Sequence, residues 1–148
     1  MGRLIGCILA GLTVLATLLG PARAATCTRA EFEAVVDEAA AALRDLNLKN
    51  RPTFQEKLRG LKVKRGWSHD QFLKEALPYV KDEQIDIYDQ SAGELLNQIS
   101  RMGQEGAEAN KPDCALLEDL HARMKKLVEI QTDKWAYMFG KLAAELEK

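Results

Sequence analysis

The last quarter of the chain carries its longest helical pattern. From Pro112 to Lys148 the apolar residues recur every three or four positions, the spacing that places side chains on one face of an α-helix. Asp113 is suited to cap this helix, and Pro112 prevents a preceding helix from running into it. The pattern predicts a single helix of about 35 residues, roughly 52 Å long, which other helices must cover. Its apolar stripe consists of Leu117, Leu120, Met124, Leu127, Val128, Trp135, Met138, Leu142 and Leu146.

Two helices are predicted in the first half of the chain, from Thr28 to about Asn47 and from Thr53 to Gly66. Each begins with a threonine that is followed three positions later by a glutamate, the spacing of a capping box. The residue before Pro52 is pushed away from helical angles, so we expect the chain to leave the helix between the two segments. A glycine is a typical residue to end the second one.

Two further helices are predicted before the long one. A short helix begins at Ser68 and is closed by Pro78, and the next is capped by Asp82 and continues to Met102. Glycines and polar residues over 103–111 predict a loop, after which the last two helices pack antiparallel. No segment shows the two-residue alternation typical of strands. The sequence therefore predicts an all-α fold: a small four- or five-helix bundle, partly up-and-down, with a long C-terminal helix.

The first residues have the three-part pattern of a secretory signal peptide. Arg3 supplies a positive charge, residues 8–19 form an apolar core, and Ala22-Arg23-Ala24 is a small–any–small cleavage pattern. The apolar run is shorter than the about 20 residues of a membrane-spanning helix. We expect residues 1–24 to be cleaved and residues 25–148 to form one periplasmic or secreted domain without a membrane span.

Two cysteines, Cys27 and Cys114, remain after such a cleavage, and an even number in an exported chain indicates a disulfide. The bond would close a loop of about 87 residues and contribute about 4 kcal/mol to stability. Free thiols or intermolecular bonds are the alternatives. The bond would join the starts of the first and last helices, so both leave in the same direction. The longer last helix would then extend past the first. Its far half would be covered by the second and third helices, with Trp67 and Phe72, or left free for a partner.

Two features are candidate binding sites for a protein. Trp135, Tyr137 and Phe139 lie within five positions of the long helix and point in different directions, so one buried face cannot hold all three. They form either half-covered core or an aromatic patch that binds a partner. Lys57 and Lys64 belong to a basic helix face, which is either solvated or a docking face for an acidic partner.

Other candidate chemistry is sparse. Acidic residues over 82–89 suit a helix N-terminus and lack the glycine and backbone ligands of a calcium loop. His69 and His121 are the only histidines, and a haem held by His121 with Met102 or Met124 is the one cofactor arrangement to consider. There is no nucleophile elbow and no glycine-rich phosphate loop. We therefore predict no metal, no cofactor and no enzymatic activity.

The charge balance narrows the possible partners. Without residues 1–24 the chain has 19 basic and 22 acidic residues, so nucleic acid and anionic membrane are not expected partners. We expect a monomer or small homo-oligomer. The leading hypothesis is an exported, non-enzymatic protein-interaction module. The alternatives are a carrier of a small apolar ligand or haem between helices, and a periplasmic chaperone that loosens when acid neutralises its carboxylates.

Overall fold

Three long helices and two short ones make up the computed structural model, which describes residues 26–148. In chain order they are α1 (Arg29–Arg65), α2 (His69–Glu75), a 3-10 helix (Leu77–Tyr79), α3 (Glu83–Glu108) and α4 (Cys114–Glu147). There is no strand among these residues, so the all-α prediction is confirmed. The predicted signal peptide, residues 1–24, lies outside the described residues.

Four predicted helix starts are confirmed by their caps. Thr28 and Ser68 each form a capping box with the residue three positions on. Asp82 accepts a hydrogen bond from the backbone amide of Ile85, and Asp113 caps α4 in the same way. These side chains satisfy amide groups that have no partner within a helix, which fixes where each helix begins.

Helices α1 and α4 run side by side in the same direction. At their starts, Cys27 and Cys114 form a disulfide with the two Cα atoms 5.4 Å apart. At their ends, Arg65 Nη2 lies 2.7 Å from Glu145 Oε2. The predicted disulfide and the shared direction of these helices are therefore confirmed.

Helix α3 packs against both and runs the opposite way. Near its end, the carbonyl of Ala107 accepts a hydrogen bond from Arg29 at the start of α1. At its beginning, Asp82 pairs with Lys141 near the end of α4. The chain thus runs up, down and up through three long helices, and the antiparallel packing of the last two is confirmed.

The predicted break between Asn47 and Pro52 is wrong, because α1 continues through the proline. Thr53 therefore lies inside a helix and starts none. An interior proline costs about 3 kcal/mol, but Leu48, whose carbonyl loses its helical donor, is 67% exposed and can be hydrated. Packing of α1 against the other helices outweighs this cost, because side chains are buried on both sides of the proline. They are Phe32, Val35 and Ala39 before it and Phe54, Leu58 and Leu61 after it.

The predicted overhang of the last helix is also wrong. Because α1 is continuous, its 37 residues match the 34 of α4. Met138 and Leu142 in the far half of α4 pack with Phe54, Leu58 and Leu61 of α1, and Trp67 and Phe72 pack beside them. The last turns of α4 are thus covered by the second half of α1, which was predicted as a separate helix, and by Trp67 and Phe72. The predicted cover of this half of α4 is therefore confirmed.

The predicted loop over 103–111 is wrong as far as residue 108, where α3 ends. Gly103 and Gly106 are buried in α3 where it crosses α1. A Cβ atom on Gly106 would lie 2.0 Å from Cδ1 of Phe32, and one on Gly103 would lie 2.6 Å from Cγ2 of Val36. The glycines allow the two helices to approach closely instead of ending one of them.

The core divides into two clusters along the bundle. The disulfide half, near the bond, contains Phe32, Val35, Ala92, Ile99, Leu117, Leu120 and Leu127. The aromatic half, at the other end, contains Phe54, Leu58, Leu61, Ile85, Met138 and Leu142. Between them, no residue of α1 from 40 to 53 is buried, so the core is thinnest near Pro52.

Candidate protein-binding site

A sharp turn at the end of α1 folds the following short helix back against the aromatic half. Gly66 has a φ of 65°, a left-handed conformation that glycine adopts without strain. The backbone amides of Gly66 and Trp67 donate to the carbonyls of Val63 and Lys62, both at 3.1 Å. Ser68 then caps α2, so the sequence from 66 to 68 sets the position of this helix.

Residues of α1, α2 and the 3-10 helix line an open apolar groove of about 480 Å³. Of its lining residues, Leu58 is buried and Phe72 is half-buried. Leu73, Leu77 and Val80 are 61%, 53% and 42% exposed. About half of the surface of these three large apolar residues is therefore left uncovered by the described chain. The full lining is Gln55, Leu58, Arg59, Phe72, Leu73, Ala76, Leu77 and Val80.

This groove lies in a positively charged part of an acidic chain. Arg59 is part of the lining, and Nζ of Lys62 lies 5.5 Å from the centre of the Phe72 ring. Residues 55–81 hold seven basic and three acidic residues, whereas the rest of 26–148 holds twelve basic and nineteen acidic. No ion pair within residues 26–148 involves Arg59 or Lys62. Both cations are available to an outside group.

The three aromatic residues proposed to bind a partner are all half-buried. The ring of Phe54 makes edge contacts with Trp135 and Phe139, with centroids 5.8 and 5.3 Å apart. The hydroxyl of Tyr137 donates to Asp82 at 2.9 Å. Each aromatic side chain therefore has a contact within the fold, and a role in partner binding stays a prediction.

The two lysines proposed to bind a partner lie away from the groove. Lys57 and Lys64 are exposed and two helical turns apart on α1, and neither lines the groove. Lys64 donates a hydrogen bond to the carbonyl of Leu146 near the end of α4. The cations at the groove, Arg59 and Lys62, occupy a different face of the same helix. Binding by Lys57 and Lys64 stays a prediction.

A charged network closes the bundle beside the groove. Asp82 accepts hydrogen bonds from Tyr137, from Lys141 and from the backbone amide of Ile85. The bond from Lys141, followed by the one from Ile85, lowers the pKa of Asp82 from 3.8 to about 2. The bond to Asp82 raises the pKa of Tyr137. At neutral pH this carboxylate is therefore a fixed negative charge that links α3 to α4.

The residues considered for haem binding differ in exposure. His121 is exposed on α4, whereas Met102 and Met124 are half-buried against the disulfide half. No group of three or more potential metal ligands forms in the part of the chain that the structure describes. In that part, no helix is long and apolar enough to cross a membrane.

A second cavity, of about 550 Å³, lies between α1 and α4. Ala42, Met124 and Val128 contribute apolar surface to it. Exposed polar side chains, including Lys125 and Glu129, also line it, so it opens onto solvent. Its apolar residues are all half-buried, whereas three large apolar residues of the α1–α2 groove are exposed.

The sequence analysis predicted the short helix from Ser68 to Pro78 but missed the groove that its apolar residues help to form. A helix of seven residues buries only one or two turns, yet this segment carries apolar residues at 72, 73, 76, 77 and 80. That excess over what such a helix can bury was the available signal. The chain matches no protein-family model, no curated protein and no solved structure.

Proposed function

We propose that this protein is an exported, non-enzymatic protein-interaction module whose partner binds in the groove between α1 and α2. The observation that carries the proposal is the trio of exposed side chains, Leu73, Leu77 and Val80, around that groove. Contiguous exposed apolar surface is uncommon on a monomeric protein and commonly marks an interaction site. Burying these three side chains would supply the apolar centre of an interface.

Export is supported by two independent features. The pattern of residues 1–24 is that of a secretory signal peptide, and the disulfide between Cys27 and Cys114 suits an oxidising compartment. In the periplasm or outside the cell this bond would stay formed. It would keep α1 and α4 aligned while a partner binds at the opposite end.

A protein partner fits the groove better than a small ligand does. Binding pockets for small molecules bury about 70–90% of the ligand surface. Here Leu73 and Leu77 are more than half exposed, so the groove is open along one side. An open apolar surface of this kind is covered by another macromolecule more completely than by a small molecule.

Site-specific crosslinking in the protein's own host tests this function. A photo-reactive amino acid at Leu77 should give one discrete protein adduct. The same amino acid at Val63, which is 81% exposed on α1 and outside the groove, should give none. The absence of an adduct at 77, or equal adducts from both positions, would contradict the proposal. An adduct of twice the chain mass would assign the groove to self-association.

A further inference from the structure

We infer that the partner segment in this groove is an acidic amphipathic α-helix, a conclusion that rests on the proposed function. Its apolar side chains would pack on Leu73, Leu77 and Val80, and its carboxylates would pair with Arg59 and Lys62. The inference comes from the spacing of the apolar residues and from the charges beside them.

The exposed groove residues follow a helical spacing in the sequence but come from two short helices. Leu73 lies on α2, Leu77 begins the 3-10 helix and Val80 follows it, at separations of four and three positions. A helix that binds a groove between helices presents its own apolar anchors at i, i+4 and i+7. Residues 26–148 contain no strand whose edge could pair with an extended peptide. Packing between helices is therefore the recognition mode that this surface offers.

The charges select an acidic helix. Arg59 lines the groove and Lys62 lies over the ring of Phe72, and neither is in an ion pair within the described chain. Other cations at this end, such as Arg65 and Lys141, are already paired with Glu145 and Asp82. Carboxylates on the partner would form ion pairs with Arg59 and Lys62. The acidic remainder of the chain would repel the same partner elsewhere and steer it to this end.

An anionic membrane fits this surface less well. Leu58 and Phe72, which line the groove, are buried and half-buried, whereas membrane binding needs apolar side chains that project outward. A protein helix can pack into such a groove, so it is the occupant that we propose.

A pair of designed peptides tests the inference on the disulfide-bonded mature protein. Both are 18-residue fluorescein-labelled helices with the same leucine and alanine face, and their polar face is glutamate in one and lysine in the other. By fluorescence anisotropy at low salt, we expect the glutamate peptide to bind at least about tenfold more tightly. The difference should shrink as the salt concentration rises.

Matched variants locate the binding. Leu77→Ser should weaken binding of the glutamate peptide about tenfold, whereas Val63→Ser removes an even more exposed apolar group outside the groove and should change nothing. Arg59→Gln should weaken binding of the glutamate peptide about threefold without weakening binding of the lysine peptide, and Lys49→Gln, at an exposed position of α1 outside the groove, is its control. All four positions are exposed, so circular dichroism should show an unchanged fold.

Each other outcome overturns the inference in its own way. If both peptides bind equally and binding still requires Leu77, the partner helix need not be acidic. The inference would then be wrong, while the proposed function would still hold. No peptide binding, together with a protein adduct from position 77 in the host, would show that the partner is not helical. Leu77-dependent binding to vesicles with anionic lipid and to neither peptide would assign the groove to a membrane, and concentration-dependent dimerisation through Leu77 would assign it to a second copy. Either result would also end the proposed function as stated.

Discussion

The two halves of the bundle are held together by different forces. In the disulfide half the packing is mostly aliphatic, and the closing elements are a covalent bond and the close approach of Gly106 to Phe32. In the aromatic half, ring contacts around Phe54 and charged pairs between helices do this work. The ion pairs that join two helices within residues 26–148 all lie there: Arg65 with Glu145, Asp89 with Lys134, and Asp82 with Lys141.

The exposed apolar surface is also unevenly divided between the two halves. Of the seven large apolar residues that are strongly exposed in 26–148, five lie between Val63 and Ile87, at the aromatic half. None lies in α4. The groove therefore lies in the half whose long helices are joined by ion pairs, away from the disulfide.

The largest expected effect is that of removing the covalent bond. The double variant Cys27→Ala/Cys114→Ala should lose about 4 kcal/mol of unfolding free energy, because the 87-residue separation leaves a long loop unconstrained in the unfolded chain. Urea denaturation measures the loss. Hydrogen exchange should rise first at the starts of α1 and α4 and later in the aromatic half.

Tryptophan fluorescence sharpens this comparison. Trp67 and Trp135 are the only tryptophans, and both pack in the aromatic half. In the double variant, loss of helix by far-ultraviolet circular dichroism should begin at a lower urea concentration than the change in tryptophan fluorescence. If the circular dichroism and fluorescence transitions coincide, the two halves unfold as one unit and do not differ in stability. Wild type with reductant should behave as the variant does.

The next effect concerns the close approach of α1 and α3. Gly106→Ala should destabilise the protein by about 2 kcal/mol, because the new Cβ would overlap the fully buried ring of Phe32. Gly93→Ala, in the same helix with nothing within 4 Å of its Cβ, should instead gain about 0.5–1 kcal/mol. Thermal denaturation of the two variants compares them directly. Equal effects would mean that α1 and α3 are not in close contact in solution.

The same glycines show which structural features can be read from the sequence. The long last helix, its cap at Asp113 and the pairing of Cys27 with Cys114 follow from local patterns and a cysteine count. The extension of α3 through Gly103 and Gly106 does not, because a glycine that ends a helix and one that admits a neighbouring side chain look alike in sequence. Only the position of Phe32 on another helix distinguishes the two.

The groove illustrates a second limit. The apolar excess at Leu73, Leu77 and Val80 is visible in the sequence, but its exposure depends on the turn at Gly66 that places α2 against α1. At Pro52 the sequence contains evidence for a continuous helix as well as for a break. Leu46, Asn50 and Phe54 are four positions apart, so the apolar residues on either side of the proline fit one helix although the position between them is polar.

A smaller effect is expected at Pro52, where the two halves meet. Pro52→Ala should stabilise the protein by about 1–2 kcal/mol. Alanine restores a helical hydrogen bond, and part of that gain is lost because the unfolded chain becomes more flexible. The unfolding transitions of the two halves should also move closer together. Arg51→Ala, an exposed neighbour, should change stability by less than about 0.5 kcal/mol. A loss of stability in Pro52→Ala would indicate a break in α1 at this position.

The smallest effect is a pH dependence confined to the aromatic half. The pKa of Asp82 is about 2 in the folded protein and 3.8 as its ordinary value, so unfolding takes up a proton between these pH values. The contribution of the ionised carboxylate is therefore complete above about pH 4 and is lost as the pH falls toward 2. Asp82→Asn keeps a capping side chain and removes the charge, so it should have a lower Tm than wild type at pH 6. The two should converge near pH 2.

Lys141→Gln provides the partner for a double-mutant cycle, because Lys141 is the leading cause of the lowered pKa of Asp82. The coupling between the two substitutions should be measurable at pH 6 and absent at pH 2. If the halves are held as described, the acid-induced change will appear in the fluorescence of Trp67 and Trp135, while hydrogen exchange beside the disulfide stays slow. A Tm difference between wild type and Asp82→Asn that does not vary from pH 6 to pH 2 would mean that this network does not close the aromatic half. The contrast between a covalently closed end and an electrostatically closed one would then rest on the disulfide alone.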